Sequence, residues 1–76
     1  MRDYIFIKVQ PLKAREVAGK IAEIAGVKVA HVCWGLPDVI AQVEADDEEA
    51  VQELIIGQIQ ATEGVTETDT HIVLED

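Results

Sequence analysis

Residues 27–45, VKVAHVCWGLPDVIAQVEA, decide the fold. The first eight, VKVAHVCW, are rich in β-branched and aromatic side chains, which suit a pleated surface. Gly35-Leu36-Pro37-Asp38 then interrupts them with strong turn formers. Residues 39–45, VIAQVEA, resume an apolar alternation of period two. Two strands joined by so short a connection form a hairpin, and its place mid-chain constrains both flanks.

Upstream, residues 3–9, DYIFIKV, put Ile5, Ile7 and Val9 on one face and Tyr4, Phe6 and Lys8 on the other. Apolar bulk on both faces predicts a central strand covered on both sides. Pro11 ends it, and residues 12–25 shift to helical period. Val17, Ile21 and Ile24 form the stripe, widened by Ala14, Ala18 and Ala25, and Gly26 supplies the stop. Downstream, Asp46 is predicted to cap a second helix, with Asp47, Glu48 and Glu49 at the positive end of its dipole. Glu49 completes a capping-box spacing from Asp46. This helix runs to about Gln60 on a stripe of Val51, Leu54, Ile55 and Ile59, with Gly57 inside it. Gly64 precedes a last strand over roughly residues 65–74.

The order β-α-β-β-α-β belongs to the α+β class and predicts a ferredoxin-like sandwich: an antiparallel four-stranded sheet with two helices on one face. Its other face also carries apolar side chains whichever parity meets the helices, so it is predicted to pack on a second copy. The arithmetic agrees. A chain of 76 residues hides only about 60% of its unfolded surface on folding and needs support. A lone Cys33 permits no internal disulfide, which leaves oligomerisation. Fifteen Asp and Glu against six Lys and Arg give a net charge of −9 and argue against direct nucleic-acid binding. All six basic residues lie within the first 28 positions. That distribution fits a solvated acidic surface or attraction between opposite ends of neighbouring subunits. Tyr4-Ile5-Phe6-Ile7 is too short for a signal peptide, no stretch approaches a membrane span, and a cytoplasmic protein is expected.

Candidate chemistry is sparse. Asp38, in the turn, is placed either to receive a ligand ammonium beside Gly35 or to cap local N–H groups. Thr66, Thr68 and Thr70 recur at period two, either as a strand ladder or as hydrogen-bond donors to a carboxylate. Trp34 is an interface anchor or a pocket wall. His31, Cys33 and His71 are too few and too far apart for a metal site within one subunit, so neither a metal nor another cofactor is expected. No nucleophile elbow, phosphate-binding glycine loop or spaced carboxylate pair appears, which argues against an enzyme.

Gly35 to Asp38 after strand two, an acid-capped helix, and then residues 64–74, GVTETDTHIVL, resemble the effector-sensing (RAM) domain of Lrp/AsnC-type transcription regulators. The resemblance covers essentially the whole chain, without the helix-turn-helix domain that members usually carry. It implies one effector-binding and oligomerisation domain over residues 1–76, non-enzymatic, pairing through sheet faces into a homodimer and a larger ring such as an octamer. It implies that small effectors, typically amino acids, bind between dimers, and that effects on transcription pass through protein partners such as full-length Lrp/AsnC regulators. Carried over by position, the pocket takes Gly35, Asp38, Thr68 and Thr70, with Asp38 on the amino group. Trp34, Leu36 and Thr66 join by adjacency. Pro37 stands where the family often has an aromatic residue. Two other readings share the fold: a dimeric α+β-barrel enzyme using a His in an enclosed cavity, and a purely structural oligomerisation domain.

Overall fold

A computed structural model describes residues 2–75. Strands β1 (Arg2–Val9), β2 (Val27–Val32), β3 (Val39–Glu44) and β4 (Val65–Ile72) form one antiparallel sheet in the order β2-β3-β1-β4. Helices α1 (Ala14–Ala22) and α2 (Glu48–Leu54) complete the β-α-β-β-α-β order. β1 is central, as its two apolar faces require.

Pairing decides which face the helices cover. Ile5 lies opposite Ala41 and Ile7 opposite Val39, and all four are fully buried. They pack with Val17, Ala18 and Ile21 of α1, with Val51 and Leu54 of α2, and with Ile55 and Ile59 beyond it. The odd-numbered side of β1 is therefore the core side. Tyr4, Phe6 and Ile40 occupy the opposite face and stay half-buried.

Several predicted boundaries move, each for a local reason. Leu12 and Lys13 are outside α1, because the chain turns at Gln10–Lys13 with Lys13 N–H donating to the Gln10 carbonyl (3.1 Å). Leu12, the third residue of that turn and next after Pro11, takes φ +66° and points into solvent. α1 ends at Ala22, so Gly26 serves the turn into β2, and Ala25 is exposed. The cap of α2 is Asp47, not Asp46. Its carboxylate accepts from Ala50 N–H (2.8 Å), which places Ala50 rather than Glu49 at the third helical position and removes the capping box. After Leu54 the helix widens into a π-helical segment, Ile55–Ile59, closed by Gln60 N–H donating to the Ile55 carbonyl (2.8 Å). The anticipated stripe survives that widening, since Val51, Leu54, Ile55 and Ile59 are all buried.

Gly64 closes the loop from this segment into β4. Its φ is +101°, and a Cβ there would lie 2.8 Å from Val17 Cγ2. Its carbonyl accepts from Gln10 N–H (2.8 Å), tying both chain reversals together. Strained backbone and the Val17 clash together predict that Gly64→Ala loses about 1–3 kcal/mol. Urea denaturation will measure it. A loss below a few tenths of a kcal/mol would show that the loop relaxes freely.

Candidate functional site

The β2–β3 turn is anchored by Asp38. Its N–H donates to the Ile7 carbonyl (3.0 Å) and its carbonyl accepts from Cys33 N–H (2.8 Å). Its Oδ2 accepts from Val9 N–H at 2.9 Å. Val9 N–H faces the β3 side of β1, beyond the Ile7–Val39 pair where the β1–β3 ladder ends, so the turn supplies its acceptor. The N–H that this carboxylate caps belongs to Val9 of β1, 29 residues away, and not to the turn itself. Pro37 follows a cis peptide bond, and Trp34 and Leu36 project outward from the turn, Trp34 fully exposed.

The threonines separate. Thr66 sits in the β-bulge opposite Lys8 and Val9, and its hydroxyl donates to the Lys8 carbonyl (3.1 Å). Thr68 lies opposite Ile7, and Thr70 opposite Ile5. The Thr68 hydroxyl accepts from Gln60 Nε2 (2.9 Å). Thr68 and Thr70 keep period two and share the helix side of the sheet with Ile7 and Ile5, while Thr66 occupies the bulge.

Thr66 and Thr68 share a groove of about 400 Å³ with Gln60, Val65 and Glu67, and two further cavities hold others of the predicted residues. A cleft of about 270 Å³ joins Leu36 and Pro37 of the turn to Phe6, Lys8, Glu67, Thr68 and Asp69. Lys8 Nζ lies 3.3 Å from Glu67 Oε2 across it. Thr70 instead lines a separate groove of about 420 Å³ with Asp3, Glu48 and the outer side of α2. Trp34, Gly35 and Asp38 line neither. The structure thus brings Leu36 and Thr68 together and leaves Thr70 elsewhere. Phe6, Lys8, Glu67 and Asp69 went unsingled in the sequence, although the alternation of β1 already set Phe6 and Lys8 on one face.

Asp3 was also overlooked. It shares parity with Ile5 and Ile7, is fully buried, and neither carboxylate oxygen has a hydrogen-bond partner among the described residues. An acid at a core-facing strand position was the legible signal. Burial, then the nearby Glu48 carboxylate, holds its pKa above the ordinary 3.8, and the positive chain terminus pulls less strongly the other way.

The imidazoles lie far apart. His31 is on edge strand β2 and His71 on the opposite edge β4, both exposed. His71 Nε2 is 3.1 Å from Asp69 Oδ2, and its ring centroid is 4.6 Å from that of Phe6. No described helix is long and apolar enough to cross a membrane.

The sequence profile described as the Lrp/AsnC ligand binding domain matches residues 4–76. An uncharacterised helix-turn-helix-type transcriptional regulator of Pyrococcus furiosus is 33% identical over 69 residues, covering 91% of this chain and 47% of that protein. The chain spans about half the length of the curated relatives it matches. A crystal structure of a Thermus thermophilus protein superposes with TM-score 0.92 at 23% identity, covering 99% of this chain and 94% of that one. A Neisseria meningitidis transcriptional regulator solved as its L-Met complex superposes with TM-score 0.86 at 19% identity, covering 99% of this chain and 50% of that one.

Two outcomes follow from the geometry. Asp38→Ala leaves the Val9 N–H without its acceptor and should lose about 1–2 kcal/mol in chemical denaturation, with Asp38→Asn losing less. An equal loss for both would remove the acceptor as the cause. For Asp3, a raised native pKa means that the folded state binds the proton more tightly than the unfolded one. The stability it contributes is full below the unfolded value and is lost as pH rises through the raised native value. Asp3→Asn should therefore be more stable than the parent at neutral pH, with the gap closing as pH falls toward 3.8. Thermal melts across pH check this. A gap that does not vary with pH would place the burial cost elsewhere.

Proposed function

We propose a function on one premise: this chain belongs to the Lrp/AsnC ligand-binding domain family. It is a non-enzymatic module that binds a small molecule, an amino acid by class, associates with its own kind, and acts on transcription through protein contacts in the cytoplasm. The observation that carries the reading is the cleft between the turn and β4. Phe6, Leu36 and Pro37 offer it apolar walls, Lys8 one cationic group, and Glu67 and Asp69 two anionic groups. A zwitterion with a short side chain matches that set, its carboxylate toward Lys8 and its ammonium toward the two acids. The volume, about 270 Å³, lies below that of drug-sized pockets and suits a small ligand. The L-Met complex of the Neisseria regulator supports the ligand class.

Asp38, with Oδ2 held by Val9, sets the position of the turn in this reading, and the amino group falls to Glu67 and Asp69. Thr68 remains a contact residue, Leu36 a wall, and Gly35 and Thr66 shape the adjoining backbone. Trp34 reaches past the cleft toward a neighbouring subunit. Thr70 is outside this site.

Self-association uses the uncovered sheet face, where Tyr4, Phe6, Val29 and Ile40 form an apolar centre between charged edges. The molecule measures 33 × 24 × 17 Å. One broad side of such a plate offers roughly 800 Å², the share each partner contributes to a standard interface. Phe6 belongs to both the face and the cleft, so ligand binding and assembly are linked, and a larger ring such as an octamer would enclose the cleft further.

Thermal melts with each of the twenty amino acids test sensing. A true effector at about 100 times its Kd adds about 2.7 kcal/mol, or roughly 10–20 °C at this chain length. No shift with any of them would eliminate amino-acid sensing. Size-exclusion chromatography with light scattering tests assembly: the parent should elute as a dimer or larger, and Phe6→Asp should shift it toward monomer. A monomeric parent would rule out pairing through the sheet.

A further inference from the structure

We propose that the groove between α2 and β4 is a second binding site, one that takes a primary ammonium group on an aliphatic stem, with Asp3 as its counter-charge. It lies on the helix side of the sheet, away from the turn cleft, and does not depend on amino-acid sensing there.

The argument starts from a carboxylate with nothing to do. Asp3 is fully buried on the core side of β1, between Val43 of β3 and Ile72 of β4. Both of its oxygens lack a hydrogen-bond donor among the described residues. A buried carboxylate left this way is disfavoured as a charged group, and buried charges are as a rule paired. An apolar residue at this position would complete the Ile5–Ile7 row without any such penalty. No described side chain or backbone group supplies the acid with a donor.

The space beside it has the right form. Asp3 lines a groove of about 420 Å³ whose other described walls are Glu48, Val51, Gln52, Ile55, Ile56, Thr70 and Ile72. Asp3 and Glu48 supply negative charge, and the Thr70 hydroxyl and Gln52 amide oxygen can accept further N–H bonds. Val51, Ile55, Ile56 and Ile72 line an apolar channel for a stem. No described lysine or arginine lines it. Three N–H donors on a compact cation match several convergent acceptors, as a guanidinium fork or an anion would not. The outer wall consists of exposed side chains, Gln52 and a 64%-exposed Ile56, which can change rotamer to admit the ligand.

Asp3 and Glu48 repel each other, and Glu48 is the nearby charge that hinders ionisation of Asp3. An ammonium between them relieves both the burial and the repulsion, so binding should favour the ionised form of Asp3 and be linked to proton release. The affinity of the groove should accordingly fall as pH drops. The groups governing it are Asp3, Glu48 and the amino terminus, with no other described titratable side chain lining the groove.

The test titrates the full chain with n-butylammonium chloride, following backbone amide signals by heteronuclear NMR. Sodium chloride at matched ionic strength and 1-butanol serve as controls. The expected result is saturable shifts at Asp3, Val51, Ile55 and Thr70 that neither control reproduces. Asp3→Asn keeps the side-chain shape and should bind about tenfold or more weakly, the fold-change of one lost charge-assisted hydrogen bond. Glu48→Gln, at an exposed position, should weaken binding by a smaller factor, and it decides the matter if Asp3→Asn does not fold. Unchanged affinity in the variants, equal shifts with sodium ion or butanol, or shifts confined to Phe6 and Leu36 would each overturn the proposal. So would shifts that follow protein concentration rather than amine, which would assign the groove to a lysine of a second copy.

Discussion

The structure depends on burying one side of β1. As the central strand it pairs with both β3 and β4, and its odd-numbered side chains form the floor on which both helices pack. Period two then leaves no choice for the rest: Tyr4 and Phe6 must face the other way, onto the side of the sheet that neither described helix covers. Core, exposed sheet face and turn cleft all follow from that single assignment. A one-residue slip would exchange Ile5 and Ile7 for Tyr4 and Phe6 and bring Lys8 under the helices.

The same assignment accounts for the unusual place of Asp3. It sits at the start of the core row, where the row runs out beneath α2, and it is the one buried charged residue among those described. At the other end of β1, the β1–β3 ladder stops at the Ile7–Val39 pair and leaves the Val9 N–H to Asp38. Two aspartates thus mark the two ends of one strand. Asp38 accepts a main-chain donor and holds a turn. Asp3 accepts no hydrogen bond among the described residues, and that contrast is what motivates the proposed ligand role.

Much of this was legible in the sequence. Element order, the identity of the central strand, the α2 stripe and the apolar character of both sheet faces follow from periodicity and punctuation alone. The errors were local. The turn at Gln10–Lys13 and the choice of Asp47 over Asp46 as cap depend on backbone hydrogen bonds that neighbouring acidic residues do not distinguish. The surroundings of the Thr66–Thr70 row were not legible for a longer-range reason: the register of β4 on β1 sets Thr68 and Thr70 opposite Ile7 and Ile5, and the bulge at Thr66 is set by the partner strand.

By itself, the sequence determined the layers and their sides, because alternation of two and a helical period of 3.6 are properties of local backbone geometry. It also carried the family resemblance, in residues contiguous along the chain. Only the tertiary structure decided which side chains share a cavity. Leu36 and Thr68 meet because β3 and β4 flank β1 on opposite sides and a turn folds back over the sheet. Thr70, two residues further on, looks into a different groove beside Asp3 and α2. Those neighbourhoods join residues dozens of positions apart, and strand register and crossover packing establish them.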